Sequence, residues 1–275
     1  MSVKKHGNLD LKQTKWLKEG RGAGHGNDYR PWLTVRDVAS TGRSHRIFGH
    51  TSGRTHHLLS DLELAIFLVL EWNQVTTDIR EQFPLKLEDT LVLAKEAGIK
   101  HPALQGHDYI MTTDFLVDTH SASQPKFAIQ AKYAKDLQEP RVVEKLELER
   151  RYWREKSIPW YIVTEQEISK NVFDNIKHLY PAGRDVLSEV EVADRLAIYS
   201  PHLLTKGNLT LREFSQKIDT AYALEPGQCL SELRQLLAQR ILIFDITIPF
   251  RKLKLSDIEV VDTRLLNEKR HVSNQ

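Results

Sequence analysis

Two short segments with alternating apolar residues constrain the fold of this chain more than any other feature. Phe115 and Val117 alternate with positions that face the other way, and Phe127 and Ile129 repeat this pattern further on. A period of two is typical of β-strands, and the polar stretch 120–125 between the segments predicts a turn. The sequence therefore predicts a β-hairpin, whose pairing would bring distant positions side by side.

Three polar residues on this hairpin have the chemistry of a catalytic group. Gln130 and Lys132 are two apart, so they share one face of a strand, and Asp114 lies beside them if the hairpin closes. A carboxylate and an amide can bind a hard cation through oxygen, while a lysine neutralises charge or positions water. This is the group that metal-dependent phosphodiester hydrolysis needs. The alternative is exposed polar residues on an edge hairpin.

A buried helix is predicted from Ser60, because residues 62–70 are apolar nearly all round apart from one acid. Ser60 and Glu63 have the spacing of a capping box, in which Glu63 bonds back to the start of the helix. Glu63 is otherwise a further carboxylate of the metal site, delivered from a helix. The spacing is compatible with both roles.

The segments around this helix and hairpin predict a mixed α/β domain. Residues 75–85 and 158–164 are predicted strands, residues 88–97 are partly helical, and residues 141–156 form a long helix. Most acids of the long helix lie among basic residues and are expected to form solvated pairs. Glu149 is the exception that we retain as a candidate, because it can lean toward the metal site.

Composition limits the class of protein. A chain of 275 residues with 40% hydrophobic and 28% charged residues is long enough for two domains with ordinary cores. It has neither the ~18 consecutive apolar residues of a membrane span nor an apolar N-terminal signal, so we expect a cytoplasmic protein that does not enter the membrane. Its one cysteine, Cys229, excludes an internal disulfide framework and is predicted to be a small core residue.

The net charge of +2 is unevenly distributed. Residues 15–57 contain eight Lys or Arg, three acids and five histidines. Such a basic arm suits phosphate binding, although a solvated and partly flexible N-terminal region is the alternative. The histidines have neither ligand spacing nor a cysteine partner, so they do not predict a zinc site.

The last third of the chain changes character. Predicted helices at 167–179, 185–199, 209–223 and 230–239 precede strand-like residues 240–247 and 258–261, with a basic turn between them. Helices followed by a hairpin with a basic tip are the plan of a winged-helix module, which binds DNA or protein. The candidate recognition helix and its end carry only Arg234 and Arg240 as basic residues, so protein binding is at least as well supported.

Several segments together resemble the TnsA family, the endonuclease subunits of bacterial transposases that pair TnsA with TnsB. They are Lys-Glu-Gly-Arg-Gly-Ala-Gly-His-Gly-Asn-Asp-Tyr from residue 18, His-His-Leu-Leu-Ser-Asp-Leu-Glu-Leu-Ala from residue 56, Asp-Ile-Arg-Glu-Gln-Phe-Pro-Leu from residue 78, and Glu-Lys-Leu-Glu-Leu-Glu-Arg-Arg-Tyr-Trp from residue 144. The resemblance covers residues 15–165 and weakens across residues 170–262.

The resemblance implies an α/β fold: a restriction-endonuclease-like mixed sheet flanked by helices, with a mainly helical winged-helix domain after it. The expected divisions are a flexible basic arm (1–30), the catalytic domain (31–165) and the winged-helix domain (166–275) for partner or DNA binding. The family's metal-site carboxylates fall on Glu63 and Asp114, its amide on Gln130 and its lysine on Lys132. Glu149 falls where the family has an acid near the site.

The resemblance also implies an activity. We expect a Mg²⁺-dependent DNA endonuclease, with Mn²⁺ as a substitute, that hydrolyses the non-transferred strand at the 5′ transposon ends, while TnsB cuts and joins the 3′ ends. The expected partners are double-stranded transposon-end DNA, TnsB, and the regulator ATPase TnsC through the C-terminal domain, in the bacterial cytoplasm near the nucleoid. Two alternatives remain: a non-catalytic DNA-bound adaptor that recruits TnsC, and a stand-alone restriction or repair nuclease that cleaves without partners.

Overall fold

The computed structural model describes residues 11–38, 42–205 and 207–261. The contacts divide the chain into two compact units, with the boundary between Ile168 and Ser169. Each unit has its own elements and its own buried residues.

Within the described residues, the N-terminal unit contains four α-helices and eight strands. In chain order they are α1 (Leu11–Lys18), β1 (His45–Gly49), β2 (Arg54–Leu58), α2 (Asp61–Trp72), β3 (Thr76–Pro84), α3 (Leu87–Ala97), β4 (Ala103–Leu104), β5 (His107–Asp108), β6 (Thr112–Thr119), β7 (Lys126–Ala131), α4 (Pro140–Glu155) and β8 (Trp160–Val163).

A four-stranded mixed sheet forms the centre of this unit, in the order β3-β6-β7-β8. The predicted hairpin is confirmed: β6 and β7 are antiparallel, with Phe115 opposite Ile129 and Val117 opposite Phe127. β3 extends the antiparallel part, whereas β8 pairs with β7 in parallel, as it must because α4 carries the chain back across the sheet. The unit has the restriction-endonuclease-like mixed α/β architecture.

Helices cover the sheet. On the side of α3 and α4, a buried cluster contains Leu116 and Ala128 from the sheet with Leu148 and Trp153 from α4. The β1–β2 hairpin and α2 are joined through His56, whose ring lies 4.5 Å from that of Phe67. These helices fix the positions from which side chains reach the end of the sheet.

The described part of the N-terminal segment contains a packed helix. Residues 1–10 lie outside the described part of the chain, but α1 packs on the domain, with Trp16 clustered with Trp32, Leu87 and Ile110. Its Gln13 amide donates to the Asp108 carbonyl and accepts from the backbone N–H of Ile110, at 3.0 and 2.9 Å. These long-range partners pack residues 11–30 within the N-terminal unit.

The structure explains why position 22 of this segment is a glycine. Gly22 has φ +80°, a conformation that a side chain strains, and a Cβ there would lie 2.2 Å from Cγ of Pro84. The backbone thus passes directly over the end of β3. Gly22 therefore allows close packing on the domain.

The C-terminal unit contains α5 (Lys170–Leu179), α6 (Glu189–Leu204), α7 (Leu211–Ala221), α8 (Gln228–Ala238), β9 (Leu242–Ile243) and β10 (Glu259–Val260). The two strands pair antiparallel after the helices, in the predicted order. They are shorter than predicted, because the Asp245 carboxylate accepts from the backbone N–H and hydroxyl of Thr247 and ends the extended run. Cys229 is buried, as expected.

No helix in the described ranges is both long and apolar enough to cross a membrane.

Candidate metal centre

Glu63 lies in the first turn of α2, and its carboxylate is held at the start of that helix. The Ser60 hydroxyl accepts from the Glu63 backbone N–H at 3.1 Å and donates to Glu63 Oε1 at 2.9 Å. The backbone N–H of Leu59 donates to Oε2 at 2.9 Å. Glu63 therefore caps its helix, and the same bonds fix the direction of a carboxylate that is only 5% exposed.

Asp114 on β6 is also buried and fixed. The backbone N–H of Ala131 on β7 donates to its Oδ2 at 2.8 Å. The Nε2 atom of Gln82 on β3 donates to Asp114 Oδ1 at 3.0 Å and to Glu63 Oε2 at 3.3 Å. The carboxylates of a helix start and of the sheet therefore lie on either side of one nitrogen atom.

Gln130 and Lys132 lie beside this pair on β7 and just beyond its end. The side-chain oxygen of Gln130 accepts from the backbone N–H of Asp114 at 3.1 Å, so it is directed at the β6 backbone rather than at the two carboxylates. Lys132 is half-buried. Both line a cavity of about 220 Å³.

Two ionised carboxylates are electrostatically unfavourable at this buried position. Burial and the charge of Asp114 raise the pKa of Glu63 to about 8. Burial also raises the pKa of Asp114, against the opposing charge of Lys132. Two buried carboxylates at neutral pH call for a bound cation or proton, and the donors here are all oxygen atoms. Such a donor set fits a hard divalent cation such as Mg²⁺.

Glu149 lies next to this group but bonds to different partners. Its Oε1 accepts from the Thr113 hydroxyl at 2.6 Å and from the Trp160 indole at 2.9 Å. Burial raises its pKa to about 8. It lines the same cavity as Lys132, so its role in the site stays a prediction.

Gln82 is the residue of this group that the sequence reasoning missed. It is 2% exposed and has φ +48°, a left-handed conformation that costs an ordinary side chain about 1–3 kcal/mol. The alternation of β3 changes at this point: Arg80 and Phe83, three apart, lie on one side, with the guanidinium 5.5 Å from the ring. Gln82 directly follows Arg80 and Glu81 in the predicted strand 75–85, so no local pattern in the sequence singled it out.

A second cluster contains a histidine and two aspartates at the opposite end of β3. Side-chain ligand atoms of His25, Asp78 and Asp118 lie within 4.8 Å of one another. Two basic side chains form ion pairs with its aspartates. Arg80 lies 2.6 Å from Asp118 and 3.4 Å from Asp78, and Lys126 lies 3.1 Å from Asp118. These charges make the cluster an ion-pair network that ties the N-terminal segment to the sheet.

Some basic residues of 15–57 pair with acids of the same unit. Arg54 is buried in an ion pair with Glu81, and Arg21 lies 2.7 Å from Asp37. Arg43 lies 2.9 Å from Asp61. These pairs use part of the positive charge of this segment, and phosphate binding by its exposed basic residues stays a prediction.

Comparison with known proteins agrees with this architecture. The model of the TnsA-like endonuclease N-terminal domain matches residues 73–165, and that of the TnsA endonuclease C-terminal domain matches residues 167–246. The chain is 50% identical over 261 residues to the Transposon Tn7 transposition protein TnsA of Escherichia coli, which covers 94% of each protein. That alignment is long enough to include nearly all of the first domain, although the first family match begins after Glu63. The chain therefore belongs to the TnsA family of transposition endonucleases.

Proposed function

We propose that this protein hydrolyses the non-transferred DNA strand at the 5′ ends of a transposon, using a divalent cation and acting together with a TnsB transposase. The observation that carries the proposal is the pair of buried carboxylates, Glu63 and Asp114, on either side of Gln82 Nε2. Family membership supplies the endonuclease activity.

The proposed division of labour follows from the chemistry of each group. Glu63 and Asp114 hold Mg²⁺, or Mn²⁺ in its place, through carboxylate oxygens. The cation supplies a Lewis acid and an activated water. Gln130 fixes the backbone of Asp114 and is the further oxygen donor that the sequence suggested. Lys132 stabilises the negative charge that builds up on the scissile phosphate.

Positive charge around the adjacent cavity favours a DNA strand there. Lys132 and Lys145 line the cavity. Burial lowers the pKa of Lys145, and the charges of Arg141 and Lys132 lower it further, which is the behaviour of neighbouring cations without enough counter-charge. A phosphate backbone supplies that counter-charge, with an affinity that falls as salt rises.

The test is strand-specific cleavage of transposon-end DNA by the purified protein with TnsB, the regulator ATPase TnsC and Mg²⁺. Asp114→Asn and Glu63→Gln should each reduce 5′ cutting by at least about 100-fold while 3′ cutting by TnsB continues. Glu144→Gln, on the exposed part of α4, is the control and should cut as the wild type does. Persistent 5′ cutting by Asp114→Asn would remove the proposal.

The same assay separates the partner-dependent enzyme from the other functions. The proposal expects little cutting by the protein alone and full cutting with TnsB and TnsC. Cutting without partners would indicate a stand-alone nuclease. Partner binding by a wild-type protein that never cuts would indicate the adaptor that recruits TnsC, a role for which the C-terminal unit is the candidate surface.

A further inference from the structure

Both ends of the Gln82 side-chain amide form hydrogen bonds at the candidate metal centre. Its Nε2 donates to Glu63 and Asp114, and its Oε1 accepts from the Thr112 hydroxyl at 3.1 Å. Among the described residues, Gln82 is the side chain that bonds to both carboxylates. Gln82 is therefore closer to the middle of the pair than Gln130, whose oxygen faces the β6 backbone.

The backbone of Gln82 is adapted to this position. Its φ of +48° breaks the regular strand geometry, and its carbonyl accepts from the backbone N–H of Trp32 at 3.2 Å. A strained backbone at a buried polar residue persists only where the surroundings hold it in place. Here the conformation directs an amide between two carboxylates, which indicates a role in the site.

An amide has two chemically different ends of nearly equal size. The NH₂ end suits carboxylates and cannot bind a cation, whereas the carbonyl end is a good ligand for a hard cation. The Thr112 hydroxyl can donate or accept, so it can pair with either end. Half a turn of the amide therefore exchanges the group that faces Glu63 and Asp114 and keeps the bond to Thr112.

We propose that Gln82 is an additional side-chain ligand of the metal site, presenting Oε1 to a divalent cation held by Glu63 and Asp114 and Nε2 to the carboxylates when the cation is removed. The inference rests on the proposed function, because it presumes a cation between those two residues. It assigns a site role to β3, a strand that shares the family resemblance but to which the sequence analysis gave no site residue.

The first test is titration of the full-length protein with Ca²⁺ in a calorimeter, with no DNA present. Gln82→Met, which lacks the oxygen, should weaken Ca²⁺ binding about tenfold, whereas Gln82→Glu, which restores an oxygen, should bind at least as tightly as the wild type. Gln13→Met is the matched control, since Gln13 is equally buried and bonded but lies with Asp108 and Ile110. It should bind Ca²⁺ as the wild type does.

The outcomes distinguish this inference from the proposed function. If Asp114→Asn abolishes Ca²⁺ binding and Gln82→Met does not weaken it, Gln82 is not a ligand and the metal centre stands. Equal weakening in Gln82→Met and Gln82→Glu would make Gln82 only structural, which also overturns the inference. If Asp114→Asn binds Ca²⁺ as the wild type does, the metal centre itself is wrong.

A second measurement does not depend on a Gln82 variant that folds. The side-chain ¹⁵N–¹H signals of Gln82 in the wild-type protein should shift on addition of Mg²⁺, since the NH₂ group leaves the carboxylates. Thr112→Val should weaken Ca²⁺ binding, and Thr112→Ser, which keeps the hydroxyl, should not. Unchanged Gln82 signals at saturating Mg²⁺ would overturn the inference.

Discussion

Glu81, one residue from Gln82, is a buried carboxylate with no role in the proposed chemistry. It accepts from both terminal nitrogens of Arg54, at 2.8 and 2.5 Å, and lies 2.8 Å from Nδ1 of His56. Although burial acts to raise the pKa of Glu81, the charges and hydrogen bonds of His56 and Arg54 lower it to about 2. The environment of Glu81 is thus opposite to that of Glu63 and Asp114, because Glu81 is paired with cations whereas those two carboxylates lie beside each other.

At this scale we predict a stability effect that depends on pH. Because the folded pKa of Glu81 lies below its usual 4.5, its ionised form stabilises the protein above pH 4.5, and that contribution is lost as the pH falls toward 2. Glu81→Gln should therefore lower the free energy of unfolding by about 3 kcal/mol at pH 7. The difference in unfolding free energy between the variant and the wild type should narrow between pH 5 and pH 3. Urea denaturation at several pH values measures this.

The control for this prediction is Glu144→Gln, which breaks an exposed pair with Arg141. It should change the free energy of unfolding by less than about 1 kcal/mol at every pH. The prediction would be contradicted if the difference in unfolding free energy between Glu81→Gln and the wild type stayed constant down to pH 3.

Several residues of the candidate site follow from the sequence, and Gln82 does not. Asp114, Gln130 and Lys132 follow from the period of two on the hairpin, since alternation fixes which side chains share a face. Gln82 depends on a left-handed backbone angle at one position, which no local pattern indicates. The spacing of Ser60 and Glu63 predicted the cap, but it could not show that the capped carboxylate also faces Asp114.

At the scale of the element, the cap of α2 both stabilises the helix and orients a carboxylate of the candidate metal centre. The Ser60 hydroxyl bonds both to the backbone N–H and to the carboxylate of Glu63. In the C-terminal unit, α6 begins with the same arrangement at Ser188 and Glu191. The two caps are thus matched in chemistry, and only one lies at the candidate metal centre.

These two caps allow a matched prediction. Ser60→Ala and Ser188→Ala should each lower the free energy of unfolding by about 1 kcal/mol, because each removes the bond from the cap to the first turn. Ser60→Ala should also reduce 5′ cutting about tenfold, since it frees a carboxylate that needs a fixed direction. Urea denaturation and the reconstituted cleavage assay measure the two effects, and equal cutting by both variants would contradict the prediction.

Elements with a local pattern were predicted well, and those that depend on distant partners were not. The hairpin, α2 and α4 have their periodicity within a short window. The segment containing α1 has few apolar residues and many glycines, and its order comes from Trp16 packing against Leu87 and Ile110. Such contacts join positions far apart in the chain, so composition alone suggested a flexible arm.

At the scale of the whole molecule, the boundary between Ile168 and Ser169 separates two units with their own cores. We predict that a fragment of residues 1–168 folds alone and unfolds in one cooperative transition, because the sheet and its covering helices all lie within it. Calorimetry of the fragment measures this, together with Ca²⁺ titration, which should match that of the full chain. A fragment without a cooperative transition would show that the catalytic domain needs the C-terminal unit.

The parallel pairing of β7 with β8 has a consequence for the newly made protein. The backbone N–H of Lys132 donates to the carbonyl of Val163 at 3.1 Å, and the intervening chain must first form α4. A polypeptide still emerging from the ribosome therefore lacks the support of its last catalytic strand until about thirty further residues have been translated. The arrangement delays the appearance of a DNA-cutting centre until the domain that contains it is nearly complete.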